Sequence, residues 1–429
     1  MIKSVRRIAK NVVYSILKVY ATFYPTKKNS IFFLPHPNCI QDKYDIINYT
    51  ADNVLVLFNE IIRDAAFSNY TLYLGYYDNN LVGQYQQYIS SSGLNIQVIL
   101  VDINSKIRIA QTIVKCSIIV TDHPHHDIPY KSYKQKTISL GYFTPFKDDF
   151  WDIKRLPIKK RRELRKAENK SFDYHIVTSQ LSGRIISIDT LLEFDKFISL
   201  GFPRNDIFYR DNTAFREKLE KAININFKKI ICYTPTFRDY ERSDLYLSDN
   251  SLVERKGIFG PVTPESSEMM EEMLERQQAI IIAKMHPWQE NSILDTQKNN
   301  RIFMFSDIAE RLRCSLYDVL SVSDSLITDY TSTAFDFMHR GKPIIYYFYD
   351  YDKYTTNRGF SFEPVDSVCG GPVVYTFLEL IECVDAILNK EDDYAQKRTF
   401  VHTLMNEHHD GESSKRIKSF IKKIVDGEN

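Results

Sequence analysis

Residues 324–341 read Asp-Ser-Leu-Ile-Thr-Asp-Tyr-Thr-Ser-Thr-Ala-Phe-Asp-Phe-Met-His-Arg-Gly. A short apolar strand, Ser325 to Thr328, runs through a hydroxyl-rich turn straight into a helix. The first amides of a helix lack partners within it and carry the positive end of its dipole, so they aim donors past the strand end. A phosphate is the usual guest there. Thr331 or Ser332 is expected at the N-cap, Ala334, Phe335, Phe337 and Met338 on the inward face, and Gly341 with Pro343 at the stop. The same pattern also fits an ordinary capped αβ unit with no ligand.

Working outward, apolar runs recur at Ile31 to Leu34, Thr71 to Leu74, Ile96 to Val101, Ser117 to Thr121 and Lys136 to Leu140. The second half repeats the rhythm at Lys229 to Tyr233, Ala279 to Lys284, Arg301 to Met304, Ser325 to Thr328 and Pro343 to Tyr347. Stretches of helical length separate most of them, which implies parallel sheets covered on both faces. The expected fold class is therefore α/β, with two doubly wound Rossmann-like lobes. At 429 residues the chain exceeds the size at which one core keeps growing, which favours two lobes over one. The expected organisation is a leader (1–28), a first lobe (29–200), a second lobe (201–390) and a helical tail (391–429) packing back on the lobes. Gly201-Phe-Pro-Arg-Asn-Asp206, rich in turn formers, reads as the connection between lobes.

A hydrophobic fraction of 43% with 26% charged residues is that of a globular protein, and a net charge of +1 excludes wholesale nucleic-acid binding. The six cysteines, at positions 39, 116, 232, 314, 369 and 383, are scattered without Cys-x-x-Cys spacing, so they are expected to be reduced. No run of 18 apolar residues is present to span a bilayer. The first 28 residues hold Lys3, Arg6, Arg7, Lys10, Lys18, Lys27 and Lys28 and no acid. Val5, Ile8, Val12, Ile16 and Val19 recur there at helical spacing, the pattern of a basic amphipathic helix lying on anionic lipid. A helix docked on the protein's own surface gives the same pattern. Residues 154–170 carry a second basic run, nine Lys or Arg against two Glu, which is either a solvated face or another headgroup contact.

Ligands of open α/β sheets bind beyond the carboxyl ends of the strands. That rule selects His36, Asp122 and His123 in the first half, and Thr236, Arg238, His286, Asp329, Thr331 and Ser332 in the second. No Gly-x-Gly-x-x-Gly and no Walker-type loop occurs, so dinucleotide oxidoreductases and P-loop kinases lose their main support.

Five motifs then appear in order: Gly201-Phe-Pro-Arg-Asn-Asp206, Ile230-Ile-Cys-Tyr-Thr-Pro-Thr-Phe-Arg-Asp239, Lys284-Met-His-Pro287, Thr328-Asp-Tyr-Thr-Ser332 with Asp336, and Arg358-Gly-Phe360. Together they resemble the CDP-glycerol glycerophosphotransferase family, the teichoic-acid primases and polymerases. The resemblance implies a glycosyltransferase-B-like pair of lobes with a CDP-polyol donor held mainly by the second. It further implies transfer of glycerol phosphate or ribitol phosphate to a polyprenyl-diphosphate-linked saccharide acceptor, in teichoic-acid or capsule-like polymer synthesis, by a peripheral protein at the cytoplasmic face of the membrane. The family's Trp-His-Gly-x-Pro-x-Lys is only partly matched by Ser139-Leu-Gly-Tyr-Phe-Thr-Pro-Phe-Lys147. Pro145 and Lys147 are kept, and the histidine is missing.

Attack of an acceptor hydroxyl on the β-phosphorus of such a donor would expel CMP, a reaction governed by positioning and charge neutralisation. His286 is the candidate donor to a phosphate oxygen, and Asp122 or His123 the candidate base. Arg238, Thr236, Asp329, Thr331, Ser332, Asp336 and Arg358 are the candidate substrate-binding residues, with Arg238 offering a planar fork to phosphate. Each has a duller account: a strand-end cap for His286, an ion pair for Arg238, a turn hydrogen bond for Thr236, and a helix-dipole contact for Asp336. No metal ligand set is apparent. Mg2+ remains compatible with a diphosphate donor. Tyr346, Tyr347, Tyr349, Tyr351 and Tyr354 either line a polyol or cytosine pocket or pack in the core. Two rival readings are a nucleotide-sugar glycosyltransferase of the same architecture and a non-catalytic partner of a polymerase complex.

Overall fold

The computed structural model describes residues 15–16, 19–35, 53–91, 96–122, 131–141, 144–148, 156–236, 258–260, 262–285, 300–357 and 359–427. Its described residues fall into two compact units. One takes those of 1–143, 152–206 and 407–429, the other those of 144–151 and 207–406.

The first unit is built on seven strands: β1 (Ser30–Leu34), β2 (Thr71–Tyr76), β3 (Gln97–Asp102), β4 (Ile118–Thr121), β5 (Lys136–Ser139), β6 (Tyr174–Val177) and β7 (Phe197–Ser199). They pair in the order β3-β2-β1-β4-β5-β6-β7, every pairing parallel. Side chains alternate across a strand, and both faces of this sheet are covered, which is why β1 is apolar at every step after Ser30. Ile31 and Phe33 enter one core with Leu72, Ile118 and Val120. Phe32 and Leu34 enter another with Ile113 and Ile119.

The terminal helix Ser413–Asp426 closes the first of these cores with Ile417 and Ile421, both fully buried. Its start is held by Asp206, whose two carboxylate oxygens accept the Ser413 and Ser414 amides at 2.8 Å each. An anion at a helix N-terminus satisfies orphan donors and complements the dipole. Gly201 has φ +78°, and a Cβ there would lie 2.5 Å from the Ser413 hydroxyl oxygen. Within this unit, Gly201-Phe-Pro-Arg-Asn-Asp206 is thus the seat of the last helix.

The second unit has six strands: β8 (Lys229–Thr234), β9 (Ala279–Ala283), β10 (Ile302–Met304), β11 (Ser325–Thr328), β12 (Ile344–Tyr347) and β13 (Val373–Val374). Their order is β10-β9-β8-β11-β12-β13, again all parallel. Both sheets therefore reverse direction at one central pair, β1/β4 and β8/β11, and these are the switch points where open sheets bind ligands. Ile231, Ile281 and Ile327 are fully buried, with Tyr233 and Ile345 at 2% or less. The five described cysteines are all free thiols, four of them buried. No described helix is long and apolar enough to cross a membrane.

Candidate functional site

At the switch point of the second sheet, β8 and β11 end side by side, with Thr234 in register with Thr328. The Thr328 hydroxyl donates to the Thr234 carbonyl at 2.9 Å. Just beyond, Asp329 turns back and its carboxylate accepts the Thr236 amide at 2.8 and 2.9 Å, and the Tyr330 amide at 2.5 Å. Asp329 is 2% exposed. Its carboxylate bridges the loops after β8 and β11, so it fixes the two post-strand turns against each other.

The next three residues, Thr331, Ser332 and Thr333, are half-buried and carry hydroxyls at the mouth of the turn. The Thr331 hydroxyl accepts the Thr333 amide at 3.4 Å and lies 3.1 Å from the Thr333 hydroxyl. Ser332 occupies the N-cap position with helical angles, φ −62° and ψ −12°, and makes no side-chain cap bond. A capping side chain needs extended backbone to reach N2 or N3, and these angles withhold it. The helix is short: Thr333–Phe337, then a 3-10 turn Met338–Arg340 ending on Gly341 at φ +61°. Ala334, Phe335, Phe337 and Met338 form its inward face as their spacing requires. Asp336 is fully buried and takes the Tyr317 hydroxyl at 2.5 Å, which places it beneath the helix and away from the hydroxyl turn.

Behind the turn Tyr330 is buried, stacked on Tyr354 at 3.9 Å between ring centroids, with its hydroxyl donating to Asp350 at 3.1 Å. Tyr346, Tyr347 and Tyr354 are core residues, all 2% exposed or less. The Gly370 amide donates to the Tyr346 hydroxyl, and the Tyr347 hydroxyl donates to the Phe259 carbonyl. Tyr349 and Tyr351 are half-exposed.

A partner for this site comes from far upstream. Residues 146–148 run antiparallel to 359–361: the Asp148 amide donates to Gly359 at 3.0 Å and the Ser361 amide to Phe146 at 2.9 Å, around a Lys147–Phe360 bridge. Phe146, 1% exposed, meets Phe335 of the site helix edge-on at 5.3 Å. The retained Pro145-Phe-Lys147 thus belongs to the second unit, alongside the Gly359-Phe360 of the later motif. Sequence spacing alone gives no hint of this pairing. Asp350 and Tyr317 were also missed, because a lone Asp or Tyr after a strand or at a helix start carries no signature.

In the first unit Asp122 follows β4 at the β1/β4 switch point and is 4% exposed. The chain after β5 crosses it so closely that a Cβ on Gly141 would fall 1.1 Å from the Asp122 carbonyl oxygen, a position only glycine can occupy. His36, His123, Arg238, His286 and Arg358 lie outside the described residues. Among the described residues no group of three or more His, Cys, Asp or Glu is gathered as for a metal ion.

A family model described as CDP-Glycerol:Poly(glycerophosphate) glycerophosphotransferase matches residues 48–423. The teichoic acid glycerol-phosphate primase of Bacillus subtilis (strain 168) is 30% identical over 258 residues, covering 59% of this chain and 58% of the primase. The teichoic acid glycerol-phosphate transferase of Staphylococcus aureus (strain NCTC 8325 / PS 47) is 27% identical over 297 residues, 67% of this chain and 71% of that protein. The chain spans less than two thirds of the primase's length, 58%. Among solved structures, a variant of the wall teichoic acid polymerase TagF soaked with CDPG superposes with a TM-score of 0.74 at 20% identity, over 99% of this chain and 98% of that one. At that identity the likeness is one of fold.

Proposed function

The chain belongs to the CDP-glycerol:poly(glycerophosphate) glycerophosphotransferase family, and from that premise we propose that it moves a polyol phosphate, glycerol phosphate or ribitol phosphate, from a CDP-polyol to a lipid-linked acceptor, releasing CMP. The observation that carries the reading is the hydroxyl turn Thr331–Thr333, set at the β8/β11 switch point by the Asp329 clamp on Thr236. Hydroxyls and helix-start amides gathered at a strand end are the donors a diphosphate needs.

In this reading Thr331 and Ser332 bind the donor's phosphates, and Asp329 is a positioning residue. Arg238 and Arg358 neutralise phosphate charge, and His286 donates to an oxygen as charge gathers in the transition state. Thr236 lines the donor side, and Asp336 acts only through the helix it anchors. Asp122 or His123 takes the acceptor's proton, since the family's histidine is absent from 139–147. A divalent ion such as Mg2+ would draw ligands from the donor diphosphate.

The acceptor places the work at a membrane, on the cytoplasmic face where polyprenyl-diphosphate saccharides are extended. Supporting this, Ile16, Val19, Tyr20 and Phe23 are 62%, 59%, 50% and 81% exposed. Their spacing of three and four is that of an apolar stripe on a helix, and Lys27 and Lys28 follow in the sequence.

The test is to incubate purified full-length protein with CDP-glycerol or CDP-ribitol and a lipid-linked acceptor, then to identify the nucleotide released and weigh the product. CMP, with a product heavier by one polyol phosphate, is expected, and Ser332→Ala should slow it. No turnover of either CDP-polyol, with a nucleoside diphosphate released from a nucleotide sugar offered in its place, would instead identify a glycosyltransferase. Undiminished release from Ser332→Ala would remove the hydroxyl turn from the donor site.

A further inference from the structure

Away from the switch points, a cavity of about 470 Å3 opens in the first unit. One wall is a face of the helix Ile158–Ser171, where Arg162, Arg165, Lys166 and Lys170 recur at spacings of three and four and so stack on one side. Lys196 faces them from the segment after the next helix, where its ammonium donates to the Asn169 carbonyl and pairs with Glu193 at 2.9 Å. Five cations thus share one concave space with a single carboxylate, itself engaged by Lys196.

Like charges at this spacing on a helix repel one another, and Arg165 is only 7% exposed, so its guanidinium is held largely out of water at the wall. A surface shaped this way is stabilised by an anion. The volume is in the range of small-ligand sites, ~300–1,000 Å3, and larger than a single ion requires. Arg162 offers a planar fork, Lys166, Lys170 and Lys196 offer point charges, and the buried Arg165 adds its charge behind them, a set suited to phosphate oxygens. No aromatic ring is among the described lining residues, so none of them stacks a nucleobase. What those residues recognise is phosphate.

We propose that this cavity is a second anion site, for a ligand carrying two neighbouring phosphates, either a diphosphate or two adjoining phosphodiesters. It is separate from the donor turn in sequence, fold unit and chemistry, and it stands whether or not the transfer reading holds. The same oxyanions come from two sources, the headgroups of an anionic membrane surface or a soluble phosphate chain.

Inorganic pyrophosphate, titrated calorimetrically into the full-length protein at about 50 mM salt, is the probe. Replacing the exposed Arg162, Lys166 and Lys170 together by glutamine should weaken it by at least about tenfold with an unchanged unfolding midpoint. Arg165→Gln, which removes the buried charge behind the wall, should give an intermediate loss. A control triple of equal charge in the other unit, Lys218→Gln, Lys221→Gln and Lys342→Gln, should leave affinity within about twofold. Equal weakening in both triples, or none in either, overturns the site. Recovery on phosphatidylglycerol vesicles, against neutral phosphatidylcholine, then separates the sources. If the cavity triple loses both pyrophosphate and vesicle binding, the bearer is a lipid headgroup. If it loses pyrophosphate alone, the bearer is a soluble phosphate chain. Loss of vesicle binding with pyrophosphate affinity intact refutes the cavity.

Discussion

The carboxylate of Asp329 holds the backbone amide of Thr236 with both oxygens, at 2.8 and 2.9 Å, so one side chain joins the ends of two adjacent strands. Ala in its place leaves that amide without its acceptor. Asp329→Ala should cost about 1–3 kcal/mol in denaturant unfolding, the penalty for a buried amide left without an acceptor. CMP release should fall well beyond that at temperatures where the variant stays folded. Normal release from the folded variant would show that the clamp does not shape the site.

Phe146 lies in the first half of the sequence yet packs in the second unit against Phe335, Tyr346 and Phe360. Phe146→Ala should destabilise by about 3–5 kcal/mol. Hydrogen exchange should speed up along β12 and the site helix and stay unchanged in β1 and β2. Faster exchange in β1 would contradict the assignment of this segment.

His175 is buried between Phe172 and Phe197, and burial, helped by the Lys196 charge, lowers its pKa from 6.5 to about 3. Its neutral form is fully compatible with the fold above pH 6.5. Below that, the unfolded chain takes a proton that the native one refuses, so stability falls as pH drops from 6.5 toward 3. Between pH 7 and 5 the loss is roughly 2 kcal/mol from this group. His175→Phe should flatten that part of the curve of unfolding free energy against pH. An unaltered slope would assign the acid sensitivity elsewhere.

Removing the cap at Asp206 should loosen the last helix before anything else. For Asp206→Ala a cost of about 0.5–2 kcal/mol is expected, with limited proteolysis opening first within 407–427. Cleavage that begins in another segment would argue against the cap.

Phe23→Asp places a charge among the exposed apolar residues Ile16, Val19, Tyr20 and Phe23. Recovery of the protein on anionic vesicles should drop several-fold, and high salt should strip much of the wild type. Retention of Phe23→Asp equal to wild type would mean that these residues do not touch lipid.

Ten strands were legible in the sequence, because each contains a short apolar run that ends in a turn or polar residue. β6, β7 and β13 were not. Each is four residues or fewer, and β6 opens Tyr-His, whose buried imidazole looks like a surface residue until two phenylalanines are seen to enclose it. The site was readable up to its hydroxyls, since Ser and Thr at a strand-to-helix turn carry their own signature. The destinations of Asp329 and Asp336 were hidden, because which donor a carboxylate meets depends on partners 93 and 19 residues away. The cationic helix Ile158–Ser171 was visible only as a charge run, and only the fold shows which of its residues share a cavity.

The described residues of 144–151 and the closing stretch from 407 each fold with the half of the chain they do not adjoin. A gene cut after codon 206 would therefore encode two incomplete polypeptides, one without its last helix and the other without the phenylalanine packed against Phe335. Evolution by swapping the two halves between relatives would have to move both out-of-place pieces as well, so this molecule is expected to change by point substitution within a shared frame.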